Sequence, residues 1–326
     1  MSINEEQLES WSGSAIVMRG SEVIEEVSVG ATAGTGSSPC SPRTRFQAGS
    51  ISKQIMSVVV LALGGRGELS LDRPIGLWLD RLPPRMSSIT LRRLLGHSSG
   101  LGHWGDIPGL PPLLEVPPER DDLVDLIVDA PLVSQPGTRW RYSGPGFLLI
   151  ALVIEAVTGR PYGEVAGELV FSPAGMGSTT SGRFPIGDSD AAVGHRAGRT
   201  IAVEEGFTHV PGTGDLWTST ADLLRYSRAL RDGGLVDPSA AASLWTAQIG
   251  LDQPDPADRL ASASAYGFGT FLGRVRGHES WYVPGDNPGY QSLLAHLPRL
   301  DTTIAVLGNE ETPGVDAVLR HVDLPA

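Results

Sequence analysis

The sequence predicts an α+β fold, with an antiparallel sheet formed from both chain ends, flanked by helices, and a mostly helical lobe inserted between them. Three observations predict it. Strand-like segments open the chain, strand-like segments close it, and the stretch between breaks into helical pieces separated by Pro- and Gly-rich loops. The 326 residues suffice for one large domain or two modest ones and are read as a single domain, with an α/β lobe over about 12–65 plus 212–326 and a helical lobe over about 66–211.

At the start, Ala15 to Met18 and Val23 to Val27 read as two strands joined by a turn at Arg19 to Glu22. A helix begins at Ser50, where Gly49-Ser50 precedes the apolar run Ile55, Met56, Val58, Val59, Val60, Leu61 and Leu63. The middle holds a short helix at Ile89 to Leu95, another at Asp121 to Ala130, and a long buried one at Gly146 to Thr158. Thr220 to Arg231 is a helix with a Thr-Ala-Asp start and a Gly233-Gly234 stop. Strands are expected again at Tyr266 to Arg274, Tyr290 to Leu297 and Thr302 to Leu307, before a last helix at Gly314 to His321.

Bulk properties exclude several functions. With 40% hydrophobic and 19% charged residues the composition is that of a globular protein. The formal charge of −12 argues against nucleic acid or an anionic membrane as partner. Cys40 is the single cysteine, so no internal disulfide forms, and nothing near it in sequence resembles a base that would activate its thiol. The seven histidines lack metal-ligand spacing, so neither a metal nor another cofactor is expected. Met1 to Trp11 shows no signal-peptide pattern, and the longest apolar run, Phe147 to Val157, is interrupted by Glu155 and too short to span a bilayer, so a cytoplasmic address is expected.

The chemistry concentrates in Ser50-Ile51-Ser52-Lys53. At the start of a helix, residues three apart share a face, which sets a hydroxyl one turn from an amine. A neutral lysine can take the proton of a serine nucleophile, and burial beside a positive helix start lowers its pKa in the required direction. Lys53 is the only lysine in the chain; the other 24 basic residues are arginines, which cannot act as bases. Tyr142 lies in Trp140-Arg141-Tyr142-Ser143-Gly144, just ahead of the buried helix, where a rigid support can project a side chain into a cleft. Arg139, Arg141 and the lysine are expected to lower its pKa and let it pass protons. In Val283-Pro284-Gly285-Asp286-Asn287-Pro288-Gly289-Tyr290, Gly285 permits close backbone approach, and the strand edge can supply one oxyanion-hole N–H beside that of Ser50. Gly96-His97-Ser98-Ser99-Gly100 matches a Gly-x-Ser-x-Gly pattern, but it follows a helical stretch instead of a buried strand and ends at a helix stop, so Ser98 is not taken as a nucleophile.

Ser50-Ile51-Ser52-Lys53, Tyr142-Ser143-Gly144 and the Gly285 strand, in this order, resemble the serine β-lactamase and penicillin-binding-protein superfamily, nearest the branch of class C β-lactamases, family VIII esterases and D-aminopeptidase-like hydrolases. Supporting segments such as Pro136-Gly137-Thr138, Phe171 to Met176 and Gly214 to Leu223 extend the resemblance over roughly residues 12 to 310. The resemblance implies Ser50 as the acyl-forming nucleophile, Lys53 as its proton partner, Tyr142 as the proton shuttle, and oxyanion amides at Ser50 and about Asp286. Substrate is expected to meet Gly144, Gly285, Asp286 and Asn287. Two positions depart from the family pattern. Gly144 stands where an asparagine usually binds the substrate amide, and Val283 where a lysine or histidine usually pairs with a carboxylate.

Weak or no β-lactamase and carboxypeptidase activity is therefore expected, with a small uncharged ester or amide as substrate. The expected function is a serine acyl-enzyme hydrolase. A transacylase with a non-water acceptor shares the same residues, and a non-catalytic binding protein on the same fold is the alternative of a different class. The loop Trp104 to Pro118, Trp217 and Trp281 are candidate walls of an apolar cleft; oligomeric state is not readable from these features.

Overall fold

Continuous apolar segments at both chain ends mark strands covered on both faces, because successive side chains point to opposite sides of a sheet. In the computed structural model this holds for Ile304-Ala305-Val306-Leu307, whose alternate residues enter two separate hydrophobic clusters. The structure describes Leu8 and residues 11–33, 37–110, 119–182, 190–201, 210–256, 259–311 and 314–325.

The strands are β1 (Gly13–Arg19), β2 (Glu22–Val29), β3 (Phe46–Gln47), β4 (Thr180–Ser181), β5 (His195–Arg196), β6 (Arg199–Thr200), β7 (Leu216–Thr218), β8 (Ile249–Gly250), β9 (Ala261–Tyr266), β10 (Phe271–Val275), β11 (His278–Asn287), β12 (Tyr290–Leu297) and β13 (Thr302–Gly308). The helices are α1 (Ile51–Gly65), α2 (Pro84–Ser87), α3 (Leu91–Leu95), α4 (Arg120–Asp129), α5 (Gly144–Thr158), α6 (Tyr162–Ala166), α7 (Thr220–Arg231), α8 (Pro238–Ala241) and α9 (Val315–Leu319). An eight-stranded sheet runs β2-β1-β13-β12-β11-β10-β9-β8, with every neighbouring pair antiparallel. Its β1 and β13 pair from Gly13 with Gly308 to Arg19 with Thr302, joining the two chain ends as expected. A small sheet, β3-β7-β4, brings the segment before α1 alongside the segment before α7.

One strand expectation changes. Tyr266 to Arg274 is not one strand: the chain turns at Gly267 to Thr270, with Gly269 at φ 63°, and β9 and β10 pair as a hairpin. The Gly285 segment lies in a strand, as expected: it is the far half of β11, the longest strand described, paired with β12 from Trp281 with His296 to Asn287 with Tyr290. Pro284 is tolerated because β10 stops at the Phe271–Tyr282 pair, leaving the following residues of β11 at a free edge.

Helix α1 is apolar nearly all round, and residues 51–61 are all buried, so it forms the centre of the larger core. Two glycines let its N-terminus press on β11. A Cβ on Gly49 (φ 52°) would lie 2.7 Å from the Asp286 nitrogen, and one on Gly285 would lie 2.1 Å from the Ala48 carbonyl oxygen. Helix α5 starts two residues earlier than the periodicity indicates, because the Ser143 hydroxyl accepts from the Gly146 N–H and Pro145 suits the first turn. Among the described residues no single helix is long and apolar enough to cross a membrane.

Candidate functional site

The site forms where the first turn of α1, the start of α5, the free edge of β11 and the Gly212–Leu216 turn meet. Ser50 is the N-cap of α1, yet its side chain makes no capping bond. Its Oγ instead accepts from Lys53 Nζ at 3.0 Å and from Tyr142 Oη at 2.7 Å. Lys53 Nζ also donates to the Thr213 carbonyl at 2.5 Å and lies 5.1 Å from the centre of the Tyr142 ring. The structure thus brings Ser50, Lys53 and Tyr142 together.

Lys53 is 2% exposed, and this burial lowers its pKa to about 7, against the opposing pull of the Asp215 carboxylate. The expectation for Tyr142 is corrected. Burial pushes its phenol well up, and the hydrogen bond to Ser50 offsets this only in part. The two arginines do not act on it, because Arg139 pairs with Asp252 and Arg141 with Asp106. Tyr142 is therefore a protonated hydrogen-bond donor at neutral pH.

Two histidines that sequence reasoning passed over hold the backbone behind Tyr142. His97 Nδ1 accepts from the Ser143 N–H at 3.2 Å, and His103 Nδ1 accepts from the Gly144 N–H at 3.1 Å. An imidazole that accepts through one nitrogen must be neutral. Burial, then the Lys53 charge, keeps both that way: His97 is pulled well below its ordinary value and His103 to about 4. His97 adopts φ 54°, a left-handed conformation that only specific surroundings sustain in a non-glycine residue. The signal lay in Gly96-His97-Ser98-Ser99-Gly100, which holds this histidine and no exposed nucleophile.

The substrate-facing candidates divide. The Asp286 amide lies beside Gly49, next to Ser50, on the free edge of β11. Asn287 is buried and spends both Nδ2 hydrogens inside the protein, on Gln47 Oε1 at 2.7 Å and the Gly214 carbonyl at 2.8 Å. Val283 is buried in the main core, so an apolar group stands at the position of the missing cation. A Cβ on Gly144 would lie 2.4 Å from Trp104 Nε1, so the indole fills the space an asparagine would need. Gly144→Asn is therefore expected to destabilise the protein by about 1–3 kcal/mol, as overpacking does, and Trp104→Ala in the same chain should recover most of it. Melting temperatures of the single and double variants check this; equal losses in both would contradict it.

Aromatic rings complete the surroundings. Phe271 stacks on Tyr142 at 6.3 Å between ring centres, and Trp140 lies 6.1 Å from Phe271. Trp217 does not line a cleft: it is fully buried in β7. Trp281 stacks on Trp245 in a separate depression with Arg231 and His296. Of the Trp104 to Pro118 loop, residues 111–118 lie outside the described residues. Burial pushes the Cys40 thiol up to about 11, which leaves it unreactive at neutral pH. Among the described residues no group of three or more His, Cys, Asp or Glu side chains is placed to hold a metal ion.

An antiparallel sheet packed on a buried helix whose first turn presents Ser-x-x-Lys defines a penicillin-binding-protein-like architecture. The structure superposes on a penicillin-binding protein from Bacillus halodurans with a TM-score of 0.84 at 24% identity, covering 97% of this chain and 98% of that one. A D-amino acid amidase from Ochrobactrum anthropi superposes with a TM-score of 0.81 at 22% identity, over 94% of this chain and 89% of the amidase. The Beta-lactamase family profile matches residues 5–324, and the chain belongs to that family. Among sequence relatives, the esterase EstB of Burkholderia gladioli is 28% identical over 82% of this chain and 81% of its own length. The putative penicillin-binding protein PbpX of Bacillus subtilis is 26% identical over 91% of this chain and 70% of its own.

Proposed function

We propose that the protein is a serine hydrolase that forms an acyl-enzyme on Ser50 from an uncharged ester or amide. The observation that carries this reading is the Ser50 hydroxyl held between Lys53 Nζ and Tyr142 Oη. A neutral Lys53 spends one N–H on the Thr213 carbonyl and keeps its lone pair for the Ser50 proton. The oxygen attacks the substrate carbonyl, and the amides of Ser50 and Asp286 receive the developing negative charge. Tyr142 gives its own proton to the departing alcohol or amine as that bond breaks, and the ammonium of Lys53 returns a proton to the Tyr142 oxygen, so both groups end as they began. Water then attacks the acyl-enzyme with the same groups in reverse.

Neutrality of the substrate is supported by Val283 at the position of the usual cation, by Trp104 at Gly144, and by the rings of Phe271 and Trp140. Esterase activity in a relative 28% identical agrees with that preference. A cytoplasmic address remains part of the same proposal.

The test is intact-protein mass after exposure to a fluorophosphonate and to a p-nitrophenyl ester, beside Ser50→Ala. One adduct is expected on the parent protein and none on the variant. Release of the acyl group by water as fast as by added amines identifies a hydrolase, and much faster release by amines identifies a transacylase. No adduct on folded parent protein would overturn the catalytic reading in favour of a binding protein.

A further inference from the structure

The turn that grips Lys53 is itself held at every residue. Asp215 Oδ1 accepts from the Gly212 N–H at 2.8 Å, closing the four-residue turn. Thr213 Oγ1 donates to the Val210 carbonyl at 2.9 Å, Asn287 binds the Gly214 carbonyl, and the Leu216 N–H reaches Ser52 Oγ at 3.3 Å. The carboxylate that closes this turn is 1% exposed, and its second oxygen accepts from Ser181 Oγ. No arginine is hydrogen-bonded to it among the described residues, and the charge that acts on it is that of Lys53. Burying a carboxylate is costly unless something uses the charge.

We propose that Asp215 is a positioning residue for Lys53: it ties the turn that holds the Thr213 carbonyl on Nζ, and its charge tunes how readily that amine keeps its proton. The inference rests on the proposed role of Lys53 as the base. The carboxylate favours the ammonium form, which offsets part of the effect of burial and keeps the amine basic enough to take a proton from a hydroxyl. Burial in turn raises Asp215 to about 6, so its negative charge is present over the range in which Lys53 loses its proton. The groups that face the pair differ on its two sides. His97, His103 and Tyr142 are neutral on the substrate side, and Tyr162 on α6 is held protonated by burial and by Asp215 itself. A groove of about 510 Å³, lined by Tyr162, Thr179, Ser181 and Asp215, carries charge beside the carboxylate in the Arg120–Glu155 ion pair and Glu164.

Because Lys53 is the only lysine, labelling the protein with [ε-¹³C]lysine places a single reporter on this amine. The parent resonance is expected to titrate with a midpoint of about 7. Asp215→Asn keeps an acceptor for the Gly212 N–H but removes the charge, and should lower the midpoint by about one pH unit, the scale on which a nearby opposite charge acts. The acid limb of fluorophosphonate labelling at Ser50 should move with it. Asp215→Ala also unties the turn and should slow labelling on the order of tenfold or more beyond the Asn variant, since misplacing a catalytic group by an ångström costs up to about a hundredfold. An unmoved midpoint in folded Asp215→Asn would overturn the proposal and leave Asp215 a purely structural residue. Should the Asn variant not fold, Ser181→Ala decides, since loss of its hydrogen bond favours protonation of Asp215 and should lower the Lys53 midpoint as well; no shift there overturns the proposal. Failure of the underlying reading looks different: parent protein whose Lys53 titrates but whose Ser50 takes up no label at any pH.

Discussion

Ser50→Ala is expected to abolish acyl-enzyme formation and to lower ester turnover on the order of 10⁴-fold or more, the scale on which an acyl-transfer nucleophile acts. The fold should survive the change. Ser50 Oγ makes no capping bond to α1, and its two partners, Lys53 and Tyr142, keep their burial and, for Lys53, the bond to Thr213. Intact-mass labelling and far-UV circular dichroism measured together check both halves. A variant that retained a tenth of parental turnover would place the nucleophile elsewhere.

Lys53→Arg is the second large effect. Arginine is long and cationic but does not lose its proton, so it cannot act as the base. The expected fall in acylation rate is on the order of 10²- to 10⁴-fold, the range of a general base. The parental pH dependence follows from the same cause. Burial lowers Lys53 to about 7, so the competent neutral amine is present above that pH and lost as pH falls through it. Acylation should therefore rise about tenfold per pH unit up to that region and then level off, as ionisation of a single group requires. Rates of fluorophosphonate labelling across pH measure it, and a rate flat down to pH 5 would exclude Lys53 as the titrating base.

What could be read in the sequence was read from local patterns. Helix α1 announces itself because a largely apolar run from Ile55 to Leu63 follows Gly49-Ser50, and α7 because a Thr-Ala-Asp start and a Gly233-Gly234 stop bound it, the cap itself being Ser219, which accepts from the Asp222 N–H. The full extent of β11 escaped because Pro284, Gly285, Asp286 and Asn287 are poor strand formers. Its pairing is imposed by β12 along one edge, while the other edge is left free for the site. The direction of the Tyr142 shift was misread for a similar reason: Arg139 and Arg141 are its neighbours in sequence, but Asp252 and Asp106 claim their charges in space. His97, His103, Thr213 and Asp215 were missed because each acts through a contact that sequence spacing does not encode.

By itself the sequence determined the α+β class, the family resemblance, and a hydroxyl and an amine one helical turn apart, because three-residue spacing on a helix is a local property of the backbone. The tertiary structure decided what those two groups are worth. Desolvation of Lys53, the donor from Tyr142, the Thr213 carbonyl closed in by Asp215, and the indole of Trp104 over Gly144 all come from segments distant in the chain. Burial and electrostatics depend on everything that surrounds a group, and only the folded chain supplies those surroundings.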